Sequence, residues 1–351
     1  MLEKYSLEDI SSHLLHMPQF IITWITFFGI GVAFYLTYVI SNRDSLPLVE
    51  CLGLDVFREV SSRKSLYMDL NMYLVRKVLD VIMILPFAAA NITICNLVVS
   101  GAGTLLPAHG FVHFNYLWAS VCTIFMFLVE ELGEYAYHFA EHKIPILWEF
   151  HKVHHSAHQL NPLTAKRIHP VSLFFSGATR GVMTGIAAGG LVVIFGISAT
   201  EALALSLVAS KIFIIATLDP LKHSHFRIGL GVFDRVLVSP HMHQIHHSKS
   251  RPHWDKNFGT TISLFDWMFG TAYKPAKGEQ PIYGISGYSN EKLQAYNTLH
   301  GAYITPFVRA GSIARGYIGR GAKNRPTKPI NSAQAGEPAL DRLEKLGRPQ
   351  Q

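Results

Sequence analysis

The stretch VIMILPFAAANITICNLVVSGAGTLL, from Val81 to Leu106, contains no charged side chain in 26 residues. The hydrocarbon core of a bilayer is about 30 Å thick, and a helix needs about 20 apolar residues to cross it. This stretch is therefore predicted to form a membrane-spanning helix. Pro86 and Gly101 lie within it, and either residue can kink or end a helix. A shorter hairpin that does not cross the membrane is therefore the alternative.

Four further runs of the chain are long and almost free of charge. They are Phe20–Ile40, Phe111–Val129, Val171–Thr200 with Arg180 inside it, and Ala202–Leu218 with Lys211 inside it. The first run is too long for the apolar core of a cleavable signal peptide, which has about 7 to 15 residues, so it is predicted to remain in the membrane. The last two runs predict a transmembrane hairpin at about 171–218, because only the linker 198–201 separates them.

The composition agrees with a membrane protein. Hydrophobic residues make up 49% of the chain and charged residues 16%, whereas soluble domains carry about 25% charged residues. The predicted fold class is all-α: a multi-span helical membrane protein with about four to five transmembrane helices and a cytoplasmic helical cap that carries the histidine clusters. The three cysteines form no CxxC pair and lie outside those clusters, which excludes a disulfide framework and a thiolate metal site.

Basic residues predict which side of the membrane each loop occupies. The segment after the first run carries six of them before residue 78, whereas Pro107–Gly110 and the linker 198–201 carry none. Basic residues favour the cytoplasmic side, so residues 41–77, 130–170 and everything after 219 are predicted to lie in the cytoplasm. All histidine clusters then lie on the cytoplasmic face of either a bacterial inner membrane or the endoplasmic reticulum. The net charge of +7 belongs to these loops, and no nucleic-acid partner is predicted.

Shifts in composition divide the chain into four parts. An N-terminal amphipathic segment covers residues 1–19, transmembrane helices cover 20–135, and a histidine-rich catalytic region covers 136–300. The tail, 301–351, is basic and is predicted to be disordered from Pro306 onward. Arg180 and Lys211 interrupt predicted spans. They are expected to snorkel or to pair with a carboxylate such as Glu201, and contact with a lipid headgroup is the alternative.

Histidine carries the chemistry of this sequence, since 13 of its 19 histidines lie between His138 and His247. Positions 138 and 142 are four residues apart and share one helical face. Segments 151–155 and 243–247 both follow the pattern HxxHH, whose adjacent histidines diverge by about 100° around a helix axis. Such a triplet cannot easily direct all three rings at one ion, so two facing HxxHH helices predict two metal ions. The predicted ligands are His138, His142, His151, His154, His155, His223, His225, His243, His246 and His247.

Two other functions fit parts of this pattern. Residues 138–142 also read HxxEH, an inverted zinc-protease motif with Glu141 as the base, but a peptidase leaves both HxxHH motifs unexplained. A metal transporter should bind its ion near the middle of the bilayer, whereas these motifs are predicted at the cytoplasmic ends of helices. A centre with two metal ions accounts for all three motifs.

The residues around the motifs resemble the fatty acid hydroxylase and sterol desaturase superfamily. Residues 148–156, WEFHKVHHS, look like the second histidine box of that family, and 167–170, RIHP, like the R-x-H-P that follows it. Residues 239–243, SPHMH, lead into the third box as the proline of the family does. After it, the segments 255–259, DKNFG, and 266–271, DWMFGT, resemble the closing part of the family pattern.

This similarity covers about residues 111–273. Three positions depart from the family pattern, namely Phe139, Phe265 and His225, where the family often has Arg, Trp and Asn. None of these departures removes a histidine of the three boxes. They bear on the substrate and on the surroundings of the metal rather than on the class of reaction.

The resemblance implies a non-haem di-iron oxygenase that uses O2 to hydroxylate an unactivated C–H bond of a lipid. Fatty-acyl lipids, sterols or hopanoids, and aminolipids all fit, and desaturation on the same site stays open. No GxGxxG or haem-binding motif occurs, so electrons are expected from a separate donor, a cytochrome b5 or ferredoxin type with an NAD(P)H reductase. Carboxylates expected to orient the imidazoles are Glu131, Glu134, Glu141, Asp219, Asp255 and Asp266, and His169 is a further candidate ligand.

Overall fold

The computed structural model describes residues 63–103, 110–205, 218–224, 226–276, 278–288, 296 and 298–321. Within these residues the chain is helical, and its β-type contacts are two isolated bridges, Leu237 with Ile262 and Ser248 with Tyr283. The predicted all-α class is therefore confirmed. The predicted segment 1–19, the span at 20–40, most of the span at 202–218 and the end of the tail lie outside the described residues.

Three long helices and several short ones make up the described part of the chain. They are α1 (Arg63–Gly103), α2 (Tyr116–Lys143), α3 (Pro145–His155), α4 (Pro170–Phe195), α5 (Asp219–Lys222), α6 (Pro240–His246), α7 (Leu264–Phe269), α8 (Leu299–Tyr303) and α9 (Thr305–Gly321). A further helical stretch covers 199–205. Proline begins α3, α4 and α6, at a position where its missing N–H costs no helical hydrogen bond.

Among the described helices, α1 from Tyr67, α2 and α4 are long and apolar enough to cross a membrane. Apolar side chains of these helices face outward, as Ile82 and Leu85 do with 61% and 76% of their surface exposed. Pro86 does not interrupt α1, which runs for 41 residues, because transmembrane helices tolerate proline where neighbouring groups compensate the freed carbonyl. The multi-span class is confirmed, and the total of four to five spans stays a prediction.

Helices α1 and α4 approach closely because α4 presents glycines at every fourth position. A Cβ built on Gly185 would lie 3.0 Å from the carbonyl oxygen of Asn91, and one on Gly189 would lie 2.6 Å from the Cβ of Val98. Small residues at this spacing let two helix backbones meet, which is a common way to pack helices inside a membrane. The contact holds α1 against α4 along most of the length of α4.

Replacing Gly189 with leucine is expected to destabilise the protein by about 1 to 3 kcal/mol, because the larger side chain must push α1 away. Thermal unfolding in detergent would measure this as a lower midpoint temperature. Gly190→Leu is the matched control, since nothing lies within 4 Å of a Cβ built on Gly190. Equal midpoints for the two variants would contradict this packing.

Helix α2 continues beyond the apolar run that ends at Val129 and reaches Lys143. Its added turns carry both histidines of the HxxxH motif. The chain turns at Ile144, and Pro145 begins α3, which folds back and packs against the end of α2. The second histidine box is therefore placed beside the first by one tight turn.

A buried ion pair fixes the start of α1 to the loop after α3. Asp69 and Arg167 have no exposed side-chain surface, and the carboxylate accepts a hydrogen bond from the Arg167 Nε at 2.6 Å. The same carboxylate accepts a second bond from the Asn161 Nδ2 at 2.9 Å, while the Arg167 Nη1 donates to the Ser156 Oγ at 3.1 Å. The arginine of the R-x-H-P segment thus has a structural role.

The predicted disorder from Pro306 onward is wrong for the first part of the tail, because helix α9 occupies it. Ala310 is buried, and the ring of Phe307 packs on Phe150 and His169 with centroid distances of 5.1 and 5.3 Å. The buried face of this helix carries small side chains at helical spacing, such as Pro306 and Ala310. Because this segment is rich in Gly, Ala and Arg, its buried face is not evident from its composition.

Candidate metal centre

Nine of the ten predicted histidine ligands form two adjacent groups where α2 turns into α3. Group A contains His138, His142, His151, His155 and His246, and group B contains His154, His223, His243 and His247. Within each group, one nitrogen of every ring lies within 4.8 Å of one nitrogen of every other ring. The tenth histidine, His225, lies outside the described residues.

The two HxxHH motifs divide between the groups in the way that helix geometry dictates. His151 and His155 are one turn apart and both belong to group A, while His154 belongs to group B. In the third box the assignment is reversed, with positions 243 and 247 in group B and His246 in group A. Adjacent histidines point about 100° apart, so each triplet contributes to both groups.

The spacing of the nitrogens fits bound metal ions. In group A the His151 Nε2 lies 3.1 Å from the Nε2 atoms of both His138 and His155. In group B the His223 Nε2 lies 3.0 Å from that of His247 and 3.2 Å from that of His243. Nitrogens bound at about 2.1 Å to one ion, with angles of 90° to 109°, are separated by about 3.0 to 3.4 Å.

Hydrogen bonds among the rings cannot satisfy these atoms. A neutral imidazole nitrogen carries either one proton or one lone pair, yet the His223 Nε2 faces three other Nε2 atoms, including that of His154 at 3.4 Å. The buried Nε2 atoms of His142 and His246 have no hydrogen-bond partner among the described residues. A cation in each group would satisfy all these lone pairs, so the residues fit two metal ions.

Six rings of the two groups outside the membrane-spanning helices are held in their neutral form by a lowered pKa. Burial is the largest cause, and it lowers the pKa of five of them well below the ordinary value: His154, His155, His243, His246 and His247. Burial also lowers the pKa of His223 to about 3. Neutral imidazole is the form that binds a metal ion.

Backbone carbonyls from the loop after α6 orient two rings of group A. The His138 Nδ1 donates to the carbonyl oxygen of Phe258 at 2.7 Å, and the His246 Nδ1 donates to that of Lys256 at 2.8 Å. Each bond leaves the Nε2 of the ring as the atom that faces the group. Fixing one nitrogen in this way sets the tautomer of a ligating histidine.

Two side chains of the closing segment hold this loop in place. The Asn257 Nδ2 donates to the carbonyl of Met242 at 2.9 Å, and the φ of Asn257 is +57°, a left-handed conformation that Asn tolerates better than most residues. The Asp266 carboxylate accepts from the backbone N–H groups of Phe258 and Gly259, both at 2.8 Å. The D-K-N-F-G and D-W-M-F-G-T segments therefore position the carbonyls that orient group A.

One carboxylate reaches the rings directly. The Glu141 Oε2 accepts a hydrogen bond from the His151 Nδ1 at 2.8 Å, and both side chains are buried. Glu141 is one of the six carboxylates that the sequence offers as partners of the imidazoles. Its sequence position fits an exposed carboxylate equally well. Sequence spacing does not distinguish it, because Glu134, four residues before His138, lies on the same face of α2.

The carboxylates of Glu131 and Glu134 contact other groups than the imidazoles. Glu131 accepts from the backbone N–H groups of Thr261 and Ile262 at 3.0 and 3.2 Å. Glu134 accepts from the Ser176 Oγ at 2.6 Å. These side chains therefore attach α2 to the loop before α7 and to α4.

Asp219 accepts a hydrogen bond from the Lys222 Nζ at 3.0 Å. Two further predicted residues, Asp255 and His169, also lie apart from groups A and B. Asp255 forms an ion pair with Lys143 at the partly exposed end of α2. The His169 Nδ1 accepts from the backbone N–H of Val171 at the start of α4, and its Nε2 donates to the carbonyl of Tyr303 at 3.1 Å. Both ring nitrogens of His169 are occupied, so this residue caps a helix.

Arg180 has carboxylate partners on α2. Its Nε lies 3.1 Å from Glu134 and its Nη1 lies 3.6 Å from Glu130. The predicted pairing with a carboxylate is confirmed, but the partners lie on α2. Glu201, the carboxylate named as an example, instead accepts from the backbone N–H of Ser198 at 2.8 Å. Lys211, the other charge predicted within a span, lies outside the described residues.

Comparison with known proteins gives several partial relatives. The chain is 26% identical to the ornithine lipid hydroxylase OlsE of Rhizobium tropici over 160 residues, which are 46% of this chain and 44% of that protein. It is 27% identical to the human alkylglycerol monooxygenase over 174 residues, 49% of this chain and 35% of the relative. It is 29% identical to the alkylglycerol monooxygenase of Danio rerio over 176 residues, which are 50% of this chain and 35% of that protein.

These matches span less than half the length of the curated relatives. No solved structure matches the chain. Residues 123–271 match the family model of the fatty acid hydroxylases, and all nine histidines of groups A and B lie between these limits. The histidine-bearing region of the chain is therefore similar to the fatty acid hydroxylase family, as the motif resemblance predicted.

Proposed function

We propose that this chain is an integral-membrane oxygenase that uses O2 and two iron ions to hydroxylate a carbon of a membrane lipid. The observation that carries the proposal is the pair of adjacent imidazole groups at the end of helices that can cross a membrane. The named relatives act on an ornithine lipid and on alkylglycerols, which supports a lipid as the substrate.

The donor set favours iron over the alternatives. A hydrolytic zinc site needs three protein ligands and one open position, whereas groups A and B offer five and four imidazoles. Glu141, the base of a peptidase with the HxxEH motif, is bonded to His151. Groups A and B lie where α2 ends and α3 begins, whereas a transporter would be expected to bind its ion near the bilayer midplane. Two irons, when bound, would supply the reductive activation of O2 that removes hydrogen from an unactivated C–H bond.

Aromatic side chains would keep water away from the rings. Trp148 packs on His142 and His155, with centroid distances of 4.9 and 5.5 Å, and Phe258 packs on His142 at 5.1 Å. Exclusion of water from a reaction centre suppresses side reactions and strengthens the electrostatic contacts inside it. The loop after α6 therefore serves both to orient the rings and to cover them.

The proposal includes a cytoplasmic cap and a separate electron donor. The sequence contains no flavin, nicotinamide or haem motif. Arg227, Arg235 and Lys274 are exposed on loops of the cap, and a basic surface of this kind attracts an acidic protein partner. A cytochrome b5 or ferredoxin with its reductase has the required chemistry.

The function is tested by comparing lipid extracts of cells that do and do not express the chain, using mass spectrometry. A lipid that gains one oxygen supports hydroxylation, and one that loses two hydrogens identifies a desaturase on the same site. Metal analysis of the purified protein should give two irons per chain. A single zinc, or uptake of metal into sealed vesicles without lipid oxidation, would contradict the proposal.

Replacing Glu141 with glutamine is expected to lower activity or iron affinity by about 10- to 100-fold, because His151 loses the charged acceptor that orients it. Lipid oxidation per membrane-bound chain and iron content measure the effect. Glu201→Gln, a change to an exposed carboxylate at the other end of α4, is the control. Unchanged activity and iron content in Glu141→Gln would show that the carboxylate has no such role.

A further inference from the structure

A charged cavity of about 350 Å³ lies between α1, α2 and α4, apart from groups A and B. Its lining includes Arg76 and Asp80 from α1, Glu130 from α2, and Arg180 from α4. Charged side chains are costly within a membrane-spanning bundle, and those that occur there commonly mark a substrate or ion path. The cavity therefore requires an explanation beyond helix packing.

The cavity lies close to the metal centre along α2. Arg180 contacts Glu134 at 3.1 Å, and Glu134 stands one helical turn before His138 of group A. The four residues from Glu134 to His138 correspond to an axial distance of about 6 Å. A molecule held by the cavity would thus have its nearest carbons within a short chain length of group A.

Charged side chains of both signs keep exposed surface in the cavity. The contact between the Arg180 Nη1 and Glu130 is 3.6 Å long, which exceeds a hydrogen bond, and a guanidinium has five N–H donors. Arg180 keeps 36% of its side-chain surface exposed, and Asp80, which pairs with Arg76, keeps 38%. A ligand can therefore contact a cation and an anion at once.

An amide oxygen adds to this polar surface. The Asn91 Oδ1 is buried and has no hydrogen-bond partner among the described residues. Asn91 lines the cavity together with Gly181, and a Cβ on Gly181 would lie only 2.4 Å from that oxygen. The glycine leaves room for the amide, and a ligand N–H would remove the cost of its unpaired acceptor.

We propose that this cavity binds the headgroup of a lipid that carries both an ammonium and an anionic group, and that this lipid is the substrate class of the proposed function. Arg180 and Arg76 would bind the anionic group, and Asp80 with Glu130 would bind the ammonium. A headgroup of a single sign would meet like charges in the cavity as well as opposite ones, and this repulsion would lower its affinity. Phe87 also lines the cavity and would contact the first carbons of the lipid.

Native mass spectrometry of the iron-loaded full chain in detergent tests this proposal with four lipids. They are an ornithine lipid, phosphatidylethanolamine, phosphatidylglycerol and an alkylglycerol. At least one of the two zwitterions is expected to bind about tenfold more tightly than the anionic and the uncharged lipid. Preference for the ornithine lipid would identify a carboxylate as the anionic group, and preference for phosphatidylethanolamine would identify a phosphate.

Two variants and one control assign the preference to the cavity. Asp80→Asn is expected to remove most of the discrimination between zwitterionic and anionic lipids. Arg180→Lys is expected to weaken this discrimination, because lysine lacks the planar guanidinium that can bind an anionic group with two hydrogen bonds. Lys77→Gln is the matched control, because Lys77 lies 3.8 Å from Asp80 without lining the cavity. Equal binding of all four lipids, or discrimination that both variants retain, would overturn the proposal.

Separate readouts distinguish this proposal from the proposed function. A chain that holds two irons and oxidises lipid but shows no headgroup preference would overturn only the role of the cavity. A chain that binds the zwitterion selectively but contains no iron and oxidises no lipid would overturn only the oxygenase.

Discussion

Replacing His154 with alanine is expected to abolish lipid oxidation while the protein stays in the membrane. His154 is the ring that α3 contributes to group B, with its centroid 4.6 Å from that of His247. Its loss leaves three imidazoles of the described four in that group. The effect should exceed the about 10- to 100-fold loss typical of residues that only orient a ligand. Oxidised lipid per membrane-bound chain measures it.

The adjacent change His155→Ala is an informative companion, because it removes a ring from group A instead. Both variants are expected to lose activity and at least one iron per chain. His158→Ala is the control, since this nearby ring belongs to neither group. Wild-type activity with two irons in His154→Ala would show that group B is not a metal site.

Changing Asp69 to asparagine is expected to lower the free energy of unfolding by about 3 to 5 kcal/mol, because it removes the carboxylate that is paired with the buried charge of Arg167. Both side chains are fully buried. The ion pair joins α1 to the loop between α3 and α4, so its loss should loosen the cap from the membrane helices. Chemical unfolding in detergent, followed by tryptophan fluorescence, measures the change.

Asp255→Asn supplies the matched comparison, because it breaks an ion pair with Lys143 whose side chains are 39% and 29% exposed. Exposed pairs contribute about 1 kcal/mol or less. The double variant Asp69→Leu with Arg167→Met should recover part of the loss, since an apolar pair leaves no buried charge. If Asp69→Asn costs no more stability than Asp255→Asn, the buried pair does not anchor the cap.

The membrane helices and the division of the histidines were predictable because both depend on local periodicity. The apolar runs at 81–106, 111–129 and 171–200 mark α1, α2 and α4, although the structure shifts their limits. The 100° angle between adjacent helical residues separates His154 from His155 before any tertiary contact is known. Because the histidines of α3 and α6 face each other and adjacent histidines diverge by this angle, the imidazoles form two groups.

The partners of these residues were not predictable, because they come from distant parts of the chain. The sequence does not show that Phe258 supplies a carbonyl to His138, or that Asp69 meets Arg167. Helix α9 could not be predicted for a different reason. Its buried side chains are small, and the helix depends on packing against α3. The close approach of α1 and α4 likewise depends on which glycine of α4 faces the other helix.

The continuity of α2 bears on which carbon of a substrate can react. A helix of 28 residues is about 42 Å long, about 12 Å more than the hydrocarbon thickness of a bilayer. His138 and His142 occupy its last two turns, so a helix that enters at the opposite boundary holds them at the edge of the acyl region. Regiochemistry would then follow depth: methylenes next to the polar end of a lipid lie at that level, whereas terminal methyl groups lie near the bilayer centre, about 15 Å away.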